Sequence, residues 1–93
     1  MTMMVKDPDS RIDFEFDWRA AYPDGQAVLA SIWDVVPAEA GGVVVAAAAH
    51  DLMQTTATLA VGVAGRIYRV TNRVTLSDGQ IDERSMTVRV EER

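Results

Sequence analysis

The stretch that decides the fold is residues 68–90, YRVTNRVTLSDGQIDERSMTVRV. Large apolar side chains occupy even-numbered positions on both sides of Ser77-Asp78-Gly79, from Tyr68 to Val90. Because the side chains of a β-strand alternate between its two faces, this period of two predicts two strands that each bury their even-numbered residues. The Asp-Gly pair between them is a hairpin signal, since glycine adopts the positive φ that such turns require.

The length of the turn sets the register of this hairpin. A two-residue Asp78-Gly79 loop would put the apolar residues of the two strands on opposite faces of the sheet. A loop one residue longer, with its glycine as the left-handed residue of a β-bulge, pairs Val70 with Met86 and keeps the apolar face continuous. On the outer face the same register pairs Arg73 with Glu83, so opposite charges lie across from one another. We therefore predict the three-residue loop.

Four upstream segments carry strand signals, either as alternating apolar residues or as runs rich in valine and threonine: Arg11–Trp18, Ala27–Val36, Val43–His50 and Thr55–Val63. The segment Val43–His50 is ambiguous, because four alanines favour a helix while three valines and the two glycines before them favour a strand. We favour the strand. No segment predicts a helix convincingly.

These strands predict an all-β fold, an immunoglobulin-like antiparallel β-sandwich of about six to seven strands. Trp33 lies in the middle of the second long strand, where that fold places a buried tryptophan. Tyr68 lies near the start of the penultimate strand, where a tyrosine corner is expected. The turn-rich residues 1–10 are predicted to form an N-terminal arm and residues 11–93 the sandwich domain, whose two sheets we expect to be held by packing alone.

Composition and charge narrow the possible functions. The chain has 93 residues, 48% of them hydrophobic and 25% charged, which suits one soluble globular domain. It has no cysteine, which excludes disulfides, zinc ribbons and thiol catalysis. A formal charge of −5 opposes binding to nucleic acid or to anionic lipid, so neither is an expected partner. The longest apolar run is too short to span a bilayer, and the start of the chain lacks the pattern of a signal peptide.

The inventory of reactive side chains is thin, and we predict no catalytic residue, no cofactor, no metal and no enzymatic activity. His50 is the only histidine, and no nucleophile motif accompanies it. Asp13, Glu15 and Asp17 follow one another at a period of two on one strand face, where neighbours lie about 7 Å apart and do not share one cation unaided. A solvated face is their ordinary interpretation, and a contact surface for a basic partner is the alternative.

The candidate functional residues are therefore predicted to form a protein interface. It has three parts, an apolar group, an acidic strand and a basic stripe on the last hairpin: Val28, Ile32 and Val36; Asp13, Glu15 and Asp17; Arg69, Arg73 and Arg89. Apolar patches on soluble proteins commonly mark interfaces. Residues 1–51 carry three basic and nine acidic side chains, whereas residues 52–93 carry six and five. This asymmetry suggests that the acidic face of one copy contacts the arginine stripe of the next, in head-to-tail contacts that can close into a ring.

The chain resembles a family of small structural proteins of tailed phages and prophages, of the phage fiber-tail adaptor type. The resemblance runs from about Lys6 to Arg93 and is carried by these stretches together: Lys6-Asp7-Pro8-Asp9, Phe16-Asp17-Trp18, Trp33, Gly65 with Tyr68–Val74, and Asp82–Ser85 with Thr87–Val90. Members as a group are more polar than this chain at Val43–Ala49.

The resemblance implies a non-catalytic virion protein, made in the host cytoplasm and present in several copies. Its expected role is an adaptor that links tail and fibers through contacts with other virion proteins. A capsid decoration or cement protein is the alternative, and an enzyme or a carbohydrate-binding module is a more remote one. A carbohydrate module would require Trp18 or Tyr22 to be exposed for stacking on a sugar.

Overall fold

The computed structural model describes residues 2–92, which form seven β-strands and no helix: β1 (Thr2–Lys6), β2 (Ile12–Asp17), β3 (Val28–Val36), β4 (Val44–His50), β5 (Gln54–Ala60), β6 (Ile67–Leu76) and β7 (Ile81–Val90). The all-β prediction is thus confirmed. The ambiguous valine and alanine segment is strand β4 and not a helix.

The β6–β7 hairpin has the predicted register. Val70 lies opposite Met86 and Arg73 opposite Glu83. Gly79 has a φ of 90°, the left-handed conformation that the three-residue loop needs. The even-numbered residues of both strands from position 68 to 76 and from 86 to 90 are all buried. The alternation read from the sequence therefore marks the interior of the molecule.

The strands form two sheets that pack face to face as a sandwich. The four-stranded sheet has the order β1-β7-β6-β3 and the three-stranded sheet the order β2-β5-β4. This order is compatible with the immunoglobulin fold, in which the third, sixth and seventh strands share one sheet and the second, fourth and fifth the other. All pairs are antiparallel as predicted, except that β1 pairs with β7 in parallel.

Residues 2–6 of the segment predicted as an arm are strand β1, at the edge of the four-stranded sheet opposite β3. Lys6 ends this strand with its side chain buried, and its Nζ donates hydrogen bonds to the carbonyl oxygens of Asp7 (2.8 Å) and Val61 (2.6 Å). Burial lowers the pKa of Lys6, while nearby carboxylates oppose that shift. These bonds tie the first strand to the loop after β5. The division into an arm (1–10) and a domain (11–93) stays a prediction.

A bulge in β3 changes which of its residues face the core. The register against β6 shifts between Val28 and Ala30, so Leu29 is an extra residue. Val28 is consequently buried at 4% exposure, whereas Leu29 is 62% exposed. Beyond the bulge, Trp33 faces inward, half-buried, with its ring stacked on that of Phe16 at a centroid distance of 5.8 Å.

Buried hydrogen bonds join the two sheets, so the expectation that packing alone holds them is wrong. Trp18 is fully buried, and its Nε1 donates to Thr55 Oγ1 (3.1 Å). The Thr55 hydroxyl in turn donates to Asn72 Oδ1 (2.6 Å) on the opposite sheet, and Asn72 Nδ2 donates to Ser31 Oγ (2.8 Å). Each buried polar group in this series of hydrogen bonds has a partner, which offsets the free-energy cost of removing it from water.

Tyr68 forms the predicted tyrosine corner. Its side chain is fully buried, its hydroxyl oxygen accepts a hydrogen bond from the Val63 backbone N–H (3.1 Å), and the hydroxyl donates to Glu39 Oε1 (2.7 Å). The bond to a backbone group a few residues upstream is the mark of this motif. Burial, together with the bond to Glu39, raises the pKa of Tyr68.

Candidate interaction surfaces

The outer face of the four-stranded sheet gathers most of the residues predicted to form an interface. Register places Val36 beside Arg69, and Ile32 beside Arg73, which lies opposite Glu83. We call this surface the arginine face and define it by its exposed members that are large or charged: Met3, Ile32, Asp34, Val36, Ile67, Arg69, Arg73, Ile81, Glu83 and Arg89. Two groups that are separate in the sequence prediction, the apolar group and the basic stripe, thus form one mixed surface.

Exposed aliphatic side chains concentrate on the arginine face. The described residues include ten large hydrophobic side chains that are exposed to solvent, and five of these lie on this face, each 56–64% exposed: Met3, Ile32, Val36, Ile67 and Ile81. Of these five, only Ile32 and Val36 are among the interface residues predicted from the sequence. Ile67 and Ile81 hold odd-numbered positions on the hairpin, so the alternation that marks the interior also predicts that they point outward.

The three arginines of the face differ in how far they are already paired. Arg89 Nε lies 2.7 Å from Glu91 Oε1, and Arg73 Nε lies 3.9 Å from Glu83 Oε2. Arg69 has no ion pair within residues 2–92, and its cross-strand neighbours are Val36 and Thr87. Arg69 is therefore the arginine of this face best able to bind a carboxylate of another molecule.

Val28 does not belong to this surface, although the sequence analysis groups it with Ile32 and Val36. The bulge at Leu29 reverses the direction of its side chain, which packs in the core. The alternation of residues in the sequence does not reveal an inserted residue. Val28 is even-numbered like Ile32 and Val36, so the sequence pattern assigns it to the same outward face.

The acidic strand lies on the opposite side of the molecule. Asp13, Glu15 and Asp17 are all exposed on β2, in the three-stranded sheet. Arg19 pairs with Asp17 at 2.7 Å and lowers the pKa of that carboxyl to about 2. Asp13 Oδ1 accepts a hydrogen bond from Thr58 Oγ1 at 2.6 Å. The acidic and arginine faces thus point in opposite directions, so a single flat partner surface contacts one or the other.

The other residues considered as reactive or ligand-binding groups, His50, Trp18 and Tyr22, make contacts within the fold. His50 is exposed at the end of β4, with Nδ1 3.1 Å from the Asp51 carbonyl oxygen. Trp18 is buried, so it does not offer the exposed ring that a carbohydrate module would require for stacking. The Tyr22 hydroxyl donates a hydrogen bond to Asp82 Oδ2 at 2.6 Å. Within the part of the chain that the structure describes, no three metal-ligating side chains cluster. That same part contains no helix of the length and apolarity needed to cross a membrane.

Comparison with known proteins identifies a family for this chain. A search of curated proteins finds nothing similar. The model of the family described as podophage GP4 fiber-tail adaptor protein gp77 matches residues 6–89, which include β2 to β6 entirely and all but the last residue of β7. This agrees with the resemblance seen in the sequence. The chain belongs to the family of the podophage GP4 fiber-tail adaptor protein gp77.

Proposed function

We propose that this protein is a non-catalytic structural component of a phage virion, and that it links tail and fiber through protein–protein contacts. The family to which it belongs is named for a fiber-tail adaptor. The observation that carries the proposal at the level of residues is the arginine face, a sheet surface on which five large hydrophobic side chains are exposed beside three arginines. Interfaces between proteins are enriched in arginine, and this face carries Arg69, Arg73 and Arg89.

The arginine face is the docking surface for the neighbouring virion protein. Burial of its aliphatic side chains supplies the apolar contact, while Arg69 supplies a charged group that binds a carboxylate of the partner. The capsid decoration role uses the same kind of contact, so the position in the particle separates the two functions. Virions labelled through this protein and imaged by electron microscopy are expected to show label only where fibers join the tail. Label spread over the capsid would refute the adaptor function.

Substitution on the arginine face tests the docking surface. Ile32→Asp places a carboxylate among the exposed aliphatic residues and is expected to prevent incorporation of the protein into particles, while its thermal unfolding stays close to that of the parent. Leu52→Asp is the matched control, because Leu52 is 72% exposed in the turn between β4 and β5, away from this face. Equal incorporation of the two variants would refute the assignment.

Copies of the protein contact one another through the same face, with the acidic strand of one against the arginine face of the next, so the arginine face of any one copy binds either a second copy or another virion protein. The two surfaces lie on opposite sides of the sandwich, which suits head-to-tail contacts, and the rotation between successive copies decides whether these contacts close into a ring. Asp13 and Glu15 remain available for such a contact, whereas Asp17 is already paired. Exposed charges are screened by salt, so the mass of the oligomer is expected to fall as salt increases. Association that is insensitive to salt would count against this contact.

A further inference from the structure

A small depression lies at Arg69 on the outer side of the four-stranded sheet. It is lined by Arg69, Ser85, Met86 and Thr87, and Arg69 lies directly opposite Thr87 in the hairpin. Its volume is about 170 Å³. Pockets that hold small molecules measure about 300–1,000 Å³, so this depression suits a single side chain of another protein better than a free ligand.

The polar side chains at this depression can all donate hydrogen bonds. The guanidinium group of Arg69 has only donors. The hydroxyl oxygens of Thr71 and Ser85 lie 2.7 Å apart, so one hydroxyl hydrogen is used between them and the other can be donated outward. Among the described residues, no carboxylate lines the depression. A carboxylate from another molecule is the group that best fits these donors, because it accepts hydrogen bonds and carries the opposite charge.

A second depression on the arginine face is less suited to a carboxylate. It has a volume of about 380 Å³ and is lined by Ile32, Asp34, Thr71, Arg73 and Glu83. Arg73 Nε already lies 3.9 Å from Glu83 Oε2. An incoming carboxylate would therefore meet two like charges, from Asp34 and Glu83, beside an arginine that is already paired.

The acidic strand offers one carboxylate that has no partner of its own. Asp17 is paired with Arg19 at 2.7 Å, and Asp13 Oδ1 accepts a hydrogen bond from Thr58 Oγ1 at 2.6 Å. The carboxylate of Glu15, between these two, is exposed and has no hydrogen bond or ion pair within residues 2–92. Glu15 is therefore the member of this strand that gives up no internal contact when it binds another molecule.

We propose that Glu15 of one copy enters the depression at Arg69 of the next copy and pairs with that arginine. The proposal rests on the head-to-tail contact of the proposed function and names the two residues that make it. Sheets packed face to face lie about 10 Å apart, a gap that the glutamate and arginine side chains span together. The planar guanidinium group can then donate to both carboxylate oxygens, which fixes the position of one copy against the next.

Charge exchange between the two positions tests this pairing, with sedimentation equilibrium of the purified full chain at low salt as the assay. Glu15→Arg and Arg69→Glu each place like charges opposite one another and are each expected to raise the dissociation constant at least about tenfold. The double variant carrying both substitutions exchanges the charges and returns the net charge to −5, because the two changes cancel. It is expected to associate nearly as tightly as the parent.

The matched control combines Glu15→Arg with Arg73→Glu. It has the same net charge and reverses another arginine of the same face, so it is expected to stay dissociated. Single variants that associate like the parent, or a Glu15→Arg, Arg69→Glu double variant that associates no better than the control, would overturn the pairing. Either result would leave a salt-dependent head-to-tail contact standing. A parent chain that stays monomeric at low salt would overturn the pairing and that contact together, while particle imaging still tests the adaptor function.

Discussion

Replacing Thr55 with valine tests how the two sheets are joined. The substitution keeps the shape of a fully buried side chain and removes only its hydroxyl group. That hydroxyl accepts a hydrogen bond from Trp18 Nε1 and donates one to Asn72 Oδ1, so its loss leaves one buried donor and one buried acceptor unpaired. Each unpaired group costs about 1–3 kcal/mol, which gives an expected destabilisation of about 2–6 kcal/mol.

This loss is large for a chain of this size. A 93-residue domain has a total stability of about 5–14 kcal/mol, so Thr55→Val removes a substantial fraction of it. At about 4–8 °C for each kcal/mol, a loss near 3 kcal/mol lowers Tm by about 12–24 °C. Urea unfolding followed by tryptophan fluorescence measures the free energy directly, and a thermal scan measures Tm.

Thr58→Val is the matched control for this experiment. It makes the same change three residues along the same strand, where the hydroxyl bonds to Asp13 on the outer face of the sheet. Exposed substitutions of this kind change stability by about 0.5 kcal/mol or less. If Thr55→Val and Thr58→Val unfolded at the same urea concentration, the buried hydrogen bonds between the sheets would not contribute as argued.

Three further substitutions test the fold and its electrostatics. Gly62→Ala is expected to destabilise the protein more than Gly65→Ala, because both glycines have positive φ but only at position 62 would the new Cβ lie 2.8 Å from a valine methyl; equal melting temperatures would contradict this. Tyr68→Phe removes both hydrogen bonds of the buried hydroxyl and is expected to cost about 1–3 kcal/mol in urea unfolding; a neutral result would refute the role of the corner. Arg19→Ala is expected to raise the pKa of Asp17 from about 2 toward its usual value in an NMR titration. A pKa that is lowered in the folded state gives stability that is lost as pH falls toward 2. The variant is therefore expected to lose less stability than the parent between pH 4 and pH 2. An unchanged Asp17 titration would disprove the pairing.

Most of the arginine face follows from the sequence, for a physical reason. Arg69, Arg73 and Arg89 hold odd positions on a hairpin whose even positions are apolar, and a strand offers only two faces. Their shared exposure is therefore a local property. That Ile32 and Val36 lie beside them depends on β3 pairing with β6 across more than thirty residues of chain, and no local pattern specifies that pairing.

The misassignment of Val28 has another cause. Val28 follows the parity of its neighbours in the sequence, but an inserted residue at Leu29 turns it inward. Trp18 continues the alternation of β2 and is buried, as that alternation predicts. Its hydrogen bond to Thr55, which comes from another strand, does not follow from the local pattern.

By itself, the sequence determined the β6–β7 hairpin, its register and its buried face, because alternation and turn chemistry act between residues that are close along the chain. Only the tertiary structure decided that β1 adds in parallel beside β7, that Thr55 and Asn72 join the sheets, and that β4 is an uncharged edge. Those features depend on which distant strands meet, and that choice is made by the packing of the whole sandwich.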